Sequence, residues 1–213
     1  MKTRRSGIVI SGLLFVWIFC SNPGCNTHSN RTDLKPCIER AVFPDPAGSI
    51  YILPFPVGKK YVLSQSYCYA GGGHLNQLAY DFALPVGAEV TAARSGVIMD
   101  TRNDLEDTGN SPEPGDHNHI FIQHTDGSVA FYAHLQQNSI ELKAGDTVKT
   151  GQRIASSGNS GNTGNFPHLH FGVYQGWPAK EGDDLPVSFR NAEGPLDSLG
   201  GLIADQWYTA LPY

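Results

Sequence analysis

Between residues 61 and 174 the hydrophobic positions fall in short runs of β-branched and aromatic residues, separated by Gly, Asn and Asp. Four of these runs cover residues 79–84, 96–99, 119–124 and 128–133. Thr125-Asp126-Gly127 links the last two runs as a hairpin turn, because an Asp-Gly pair tolerates positive φ. The pattern predicts an all-β fold, a compact antiparallel β-sheet or sandwich domain.

The segments on either side of these runs have a different texture. Residues 26–56 are polar and contain several prolines without an amphipathic period, which predicts a linker or N-terminal extension. The domain is then expected over residues 57–176, and residues 177–213, which mix acids, Gly and Pro, predict an irregular tail packed on it. A chain of 213 residues can bury a core unaided, so any bound metal is expected to be catalytic rather than structural.

The first 25 residues have the pattern of a signal peptide. Basic residues at Lys2, Arg4 and Arg5 precede an apolar run over residues 8–19, which is shorter than the ~20 residues of a membrane-spanning helix. We therefore expect an exported protein without a membrane span. Gly24-Cys25 is a candidate lipoprotein cleavage site with a lipid anchor at Cys25, but Asn22-Pro23 fit that motif poorly, and a plain cleaved signal is the alternative.

Two of the four cysteines, Cys37 and Cys68, lie outside this processing region. In an oxidising compartment they predict a disulfide that closes a loop of about 30 residues and stabilises the fold by roughly 3–4 kcal/mol. The alternative is a pair of buried thiols. The sequence contains no Cys-x-x-Cys pair, which argues against a zinc–thiolate site.

The charge balance excludes two classes of partner. Without residues 1–25 the chain has 12 basic and 20 acidic residues, a net charge of −8. An acidic protein without a basic patch has no electrostatic attraction for nucleic acid or for an anionic membrane surface.

The most informative short motif is His168-Leu169-His170. In an extended strand the side chains at i and i+2 lie on the same side, so both imidazoles can face one metal site. Ordinary strands also produce such pairs by chance, and a second pair, His117-Asn118-His119, lies in a polar, loop-like stretch.

Three further residues are candidates for chemistry. Asp81 lies in an apolar run, where a buried carboxylate is costly unless it is paired or bound to a cation; the alternative is that its face is exposed. His74 follows three consecutive glycines and can fold back toward Asp81. His134 ends the aromatic run 128–133, where an ordinary core or surface histidine is the alternative.

Five stretches in this order resemble the lysostaphin-type (LytM-like) zinc metallopeptidases, over a little more than half of the chain. They are residues 79–87 (AYDFALPVG), 90–97 (VTAARSGV), 132–135 (YAHL), 145–152 (GDTVKTGQ) and 167–171 (PHLHF).

The resemblance implies a zinc endopeptidase with an open groove that cleaves peptide stems or bridges of bacterial peptidoglycan and binds one Zn²⁺ per chain. Asp81 and His170 match metal ligands of the family, and His134 and His168 match its two non-ligand histidines, which orient or deprotonate the water and stabilise the oxyanion. His74 is the candidate for the third ligand.

The sequence departs from the family pattern at this third ligand. The usual position is four residues before the aspartate, where this chain has Gln77, and a neutral amide oxygen is a poor zinc ligand.

An alternative function is a catalytically inactive module that keeps the groove and binds the wall or activates another wall hydrolase.

Overall fold

The runs of β-branched and aromatic residues form strands, because alternate side chains along each run can enter one core. The computed structural model describes residues 36–111, 113, 115–180 and 182–213. One short helix, α1 (Cys37–Arg40), and a 3-10 turn (Pro46–Gly48) precede the first strand. The strands are β1 (Lys60–Gln65), β2 (Ala79–Phe82), β3 (Glu89–Thr91), β4 (Gly96–Arg102), β5 (His119–Gln123), β6 (Val129–Ala133), β7 (Thr147–Val148), β8 (Arg153–Ser156), β9 (Leu169–Tyr174), β10 (Ala192–Glu193) and β11 (Trp207–Ala210).

Nine of these strands form one antiparallel sheet in the order β10-β11-β1-β2-β9-β6-β5-β4-β7. Strands β3 and β8 pair separately. The predicted hairpin at Asp126-Gly127 joins β5 to β6, and Gly127 has a φ of 88°. The prediction of an all-β, antiparallel fold is confirmed.

The core lies on one face of the large sheet. Along β9 the side chains of Leu169, Phe171 and Val173 are buried in it, whereas His170 lies on the opposite face. That opposite face carries the candidate site.

Part of the predicted N-terminal extension belongs to this core. Ile52, Leu53 and Phe55 are almost fully buried, so these residues pack against the sheet rather than act as a free connection. The exact domain bounds stay a prediction. The predicted signal peptide over residues 1–25, with Cys25, lies outside the described residues. Within the described residues, no helix has the length and apolarity needed to cross a bilayer.

The predicted tail packs on the domain and is largely irregular, but it also supplies strands β10 and β11 to the sheet. β11 pairs antiparallel with β1, with Tyr208 opposite Tyr61. Tyr208 is fully buried, so this part of the tail belongs to the hydrophobic core.

The predicted disulfide is confirmed. Cys37 on α1 is bonded to Cys68, with a Cα–Cα distance of 5.6 Å. Cys68 lies at the start of the connection between β1 and β2, so the disulfide ties α1 to the loop that contains His74.

Candidate metal centre and active site

Asp81 and His170 face each other across two paired strands. The antiparallel register of β2 and β9 places them directly opposite each other, where Cβ atoms are about 4.5–5.5 Å apart. The Asp81 Oδ1 atom is 2.9 Å from His170 Nδ1, and the Asp81 side chain is buried. The alternative of a solvent-exposed face for Asp81 is therefore wrong.

His74 reaches the same point from the loop between β1 and β2. Its Nε2 atom is 3.1 Å from His170 Nδ1 and 3.2 Å from Asp81 Oδ1. The loop turns back on itself, because Cys68 N donates to Gln77 O and Gln77 N donates to His74 O. The expectation that His74 folds back toward Asp81 is thus met in the structure.

The three donor atoms are spaced as a metal site requires. Among the described residues, His74, Asp81 and His170 form the one set of three whose ligand atoms lie close enough to hold an ion. Their separations of 2.9–3.2 Å approach the ~3.3 Å between ligands in a tetrahedral site with bonds of about 2.0–2.1 Å. Two imidazoles and one carboxylate fit a borderline divalent cation such as zinc.

Backbone carbonyls fix which ring nitrogen faces the site. His74 Nδ1 lies 3.1 Å from Ser66 O. A carbonyl can only accept, so this nitrogen carries the proton and donates it, which leaves the lone pair of Nε2 directed at Asp81 and His170.

His134 and His168 stand beside the three donors and are oriented in the same way. His168 Nδ1 donates to Phe166 O and His134 Nδ1 donates to Ser160 O, both at 2.8 Å, so the other ring nitrogen, Nε2, is left for the site in both residues. The two rings are 4.6 Å apart, and His168 Nε2 is 3.7 Å from Asp81 Oδ2. The prediction that His168 and His170 share one side of the strand agrees with this geometry.

His134 also has an unusual backbone conformation. It follows the last residue of β6 with a φ of 60°, in the left-handed region that non-glycine residues rarely adopt. Such a residue persists where its surroundings hold it, here through Gly158 N, which donates to His134 O. The conformation turns the ring toward His168.

Burial and neighbouring charges shape the electrostatics of the site. Burial alone would raise the pKa of the Asp81 carboxyl, but the facing imidazoles of His170 and His74 outweigh it and hold this pKa well below its usual range. Burial, together with the nearby His168 and His170, lowers the pKa of His134 to about 3. The site therefore combines an ionised carboxylate with a neutral imidazole at His134.

The second His-x-His borders the site without joining the donor set. The His117 ring is 5.6 Å from that of His134, and His119 Nε2 is 3.2 Å from Asp100 Oδ2. Sequence analysis gave this pair no role, because a polar loop offers no reason to place it near the other histidines.

Aromatic rings continue the open face next to the donors. Phe131 lies 5.6 Å from the His170 ring and stacks on Phe121 at 4.4 Å. With Tyr174 and Lys180 these rings line a cavity of about 280 Å³. Phe131 lies opposite Gly172, two residues after His170 along β9, so this wall of the cavity is one row of side chains, about 7 Å, from His170.

Sequence analysis also missed the groups that hold the site together. The carbonyls of Ser66, Ser160 and Phe166 have no sequence signature. Arg40 and Asp184 form an ion pair and contact the backbone on both sides of Gln77. The two residues are 144 positions apart, so the sequence gives no sign that they are in contact.

Comparison with known proteins identifies relatives for about half of the chain. A family model described as Peptidase family M23 matches residues 76–183. Peptidoglycan DD-endopeptidase ShyA of Vibrio cholerae is 41% identical over 92 residues, which cover 43% of this chain and 18% of ShyA. An uncharacterized metalloprotease of Buchnera aphidicola is 33% identical over 131 residues, which cover 57% of this chain and 31% of the relative. The chain thus matches less than a third of the length of these relatives.

A solved structure is also similar. It contains the catalytic domain of EnpA, a prophage-encoded M23 protein from Enterococcus faecalis, in a mutant form. The TM-score is 0.47 at 25% identity, over 60% of this chain and 91% of that chain.

Proposed function

The chain belongs to peptidase family M23, and from this premise we propose that it is an exported zinc metalloendopeptidase that cleaves peptide bonds in cross-links or stems of bacterial peptidoglycan. The observation that carries the proposal is the cluster of His74, Asp81 and His170, with two oriented imidazoles beside it. The similarity to ShyA, which is named as a peptidoglycan DD-endopeptidase, supports the choice of substrate.

His74 Nε2, Asp81 Oδ1 and His170 Nδ1 are the atoms that would hold the zinc. When bound, zinc polarises a substrate carbonyl and makes a water molecule more acidic. The Ser66 carbonyl contributes by keeping His74 in the tautomer that a metal ligand needs.

His134 and His168 handle the proton. A neutral ring accepts a proton from the attacking water at Nε2 while the water oxygen bonds to the carbonyl carbon of the substrate. The resulting imidazolium gives this proton to the amide nitrogen as the carbon–nitrogen bond breaks. The hydrogen bonds to Ser160 O and Phe166 O keep both Nε2 atoms directed at the reacting groups throughout.

The substrate would lie along the open face of the sheet. Phe121 and Phe131 offer flat apolar surfaces next to His170, on which peptide planes and small aliphatic side chains can pack. The face is made of strands, so the site is presented on a rigid support.

Export rests on two observations. The first 25 residues have the composition of a signal peptide. The disulfide between Cys37 and Cys68 fits an oxidising compartment, because such bonds are rare in reducing ones. Mass analysis of the exported protein tests whether Cys25 carries a lipid.

Digestion of purified cross-linked muropeptides with mass analysis of the products tests the proposal. We expect products whose summed mass exceeds that of the substrate by one water, loss of activity with a chelator and its return with zinc. Gln77→Ala serves as a matched control that keeps its zinc. A protein that binds zinc but leaves every muropeptide intact would instead support the inactive, groove-bearing module. A protein that binds no zinc would refute the metallopeptidase assignment itself.

A further inference from the structure

The loop that carries His74 has little regular structure of its own. It connects Gln65 at the end of β1 to Ala79 at the start of β2, and it contains the exposed glycines Gly71, Gly72 and Gly73. Glycine has more backbone freedom to lose on folding than any other residue, so three in a row make this loop costly to order. Contacts from elsewhere must therefore hold His74 in place.

The four-residue helix α1 supplies two of these contacts. Cys37, its first residue, is bonded to Cys68 at the beginning of the loop. Arg40, its last residue, donates from Nη2 to Asn76 O at 2.8 Å, near the end of the loop. The glycines and His74 lie between these two attachment points.

Asp184 completes the second attachment. Its Oδ1 atom is 2.6 Å from Arg40 Nη1, and its Oδ2 atom accepts a hydrogen bond from Leu78 N. The Arg40 and Asp184 side chains are 13% and 5% exposed, so water competes little for these bonds. The pair thus holds the backbone two residues after His74 and three residues before Asp81.

Fold stability alone is a weak reason for such a pair. Removing two charges from water costs about as much as their mutual attraction returns, so a buried ion pair contributes little net stability. The Arg40–Asp184 pair differs from an ordinary one in its other partners, which are backbone groups of the loop. Arg40, His74 and Asp184 also all lie outside residues 76–183, the range that matches the family.

We propose that Arg40 and Asp184 are positioning residues for the metal site: together they fix the loop so that His74 Nε2 meets Asp81 and His170. The proposal rests on the proposed function, because it assigns His74 as a ligand. It explains how His74 can serve at seven residues from Asp81, since the added length of loop is secured by a bond at each end.

Three variants test the pair. Arg40→Met keeps much of the side-chain volume without its donors, and Asp184→Asn is milder because an amide oxygen can still accept from Leu78 N. Arg94→Met is the matched control: Arg94 forms a 2.7 Å ion pair with Asp126, and its other hydrogen-bond partners are Tyr51 and Ser128, away from the His74 loop.

The readouts are zinc affinity by chelator competition, the visible absorption of the cobalt-loaded protein and the thermal midpoint of the metal-free protein. We expect Arg40→Met and Asp184→Asn to weaken zinc binding about 10- to 100-fold, the usual effect of removing groups that orient a ligand. Their cobalt bands should become weaker or shift, because the coordination geometry changes. Arg94→Met should lower the thermal midpoint to a similar extent without changing either metal readout.

The double variant Arg40→Met/Asp184→Asn should be little worse than either single variant, because both act through one contact. Unchanged zinc affinity and cobalt spectra in all variants, with a loss of thermal stability alone, would overturn the positioning role. That result differs from failure of the proposed function, in which the unmodified protein itself would bind no zinc.

Discussion

Asp81 and His170 are held by the sheet, whereas His74 lies on a loop that is held by separate contacts. The first two residues lie opposite each other in the β2–β9 ladder, and the register of the strands fixes their distance. His74 depends on a disulfide, an ion pair and a carbonyl. The candidate metal site therefore combines one part that local structure determines with one part that tertiary contacts determine.

Direct replacement of the donors gives the largest expected effect on this comparison. Asp81→Ala should reduce bound zinc from about one per chain to almost none, because Asp81 supplies the negative charge of the set. His74→Ala should weaken zinc binding but leave the sheet-held pair able to bind weakly. Metal analysis after gel filtration measures both.

The control for these replacements is Gln77→Ala, which should leave zinc content unchanged. If this variant lost zinc while His74→Ala kept it, Gln77 rather than His74 would be the loop-borne ligand.

The two remaining histidines should separate chemistry from metal binding. His134→Ala and His168→Ala should each lower kcat about 10²- to 10⁴-fold, the range for loss of a general acid or base, with bound zinc retained. Kinetics on a muropeptide, together with metal analysis of the same sample, checks both halves of this expectation. Turnover at the unmodified rate in either variant would contradict the role of that residue.

Removal of the disulfide releases one of the two attachments of the His74 loop. Cys37→Ala/Cys68→Ala should lower the free energy of unfolding by roughly 3–4 kcal/mol, given the sequence separation of 31 residues. Denaturant titration gives this value. Under native conditions hydrogen exchange over residues 66–78 should proceed through a local opening, whereas β9 should exchange only through global unfolding; exchange of both regions through one shared opening would mean that they are not independent.

Substitution of a single glycine should change the free energy of unfolding least. A Cβ atom at Gly73 would meet no heavy atom within 4 Å, so Gly73→Ala should stabilise the protein by about 0.4–1 kcal/mol by restricting the unfolded loop. Gly72→Ala is the matched comparison, since its Cβ would displace the flexible Gln65 amide that accepts from Gly73 N. Thermal unfolding should therefore show a smaller gain in stability, or none, for Gly72→Ala.

The sequence predicted that Asp81 and His170 lie on strands, and the structure places them side by side. The period of two in His168-Leu169-His170 and the apolar surroundings of Asp81 are local patterns, and strand geometry converts them directly into positions. The pairing of Cys37 with Cys68 was predicted because few cysteines were available to choose from. The fold class followed from the same short runs and turns.

The supports of His74 could not be predicted in this way. An arginine at the end of a four-residue helix and an aspartate in a mostly irregular tail look like ordinary surface residues in the sequence. Their role depends on contacts between residues 144 positions apart, which no local periodicity encodes. The contribution of Ile52, Leu53 and Phe55 to the core was also missed, because the prolines next to these residues suggested a linker.

The order of strands in the large sheet bears on self-association. β2, which carries Asp81, has β1 on one side and β9 on the other, and β11 and β10 lie beyond β1. The outermost strands, β10 and β7, are two residues long, which gives a neighbouring molecule little backbone to pair with. A fragment cut to residues 76–183 would lack β1 and would expose the hydrogen-bonding edge of β2 itself. The segments outside the family match therefore cover the edge of the strand that carries Asp81, where edge-to-edge pairing would otherwise be possible.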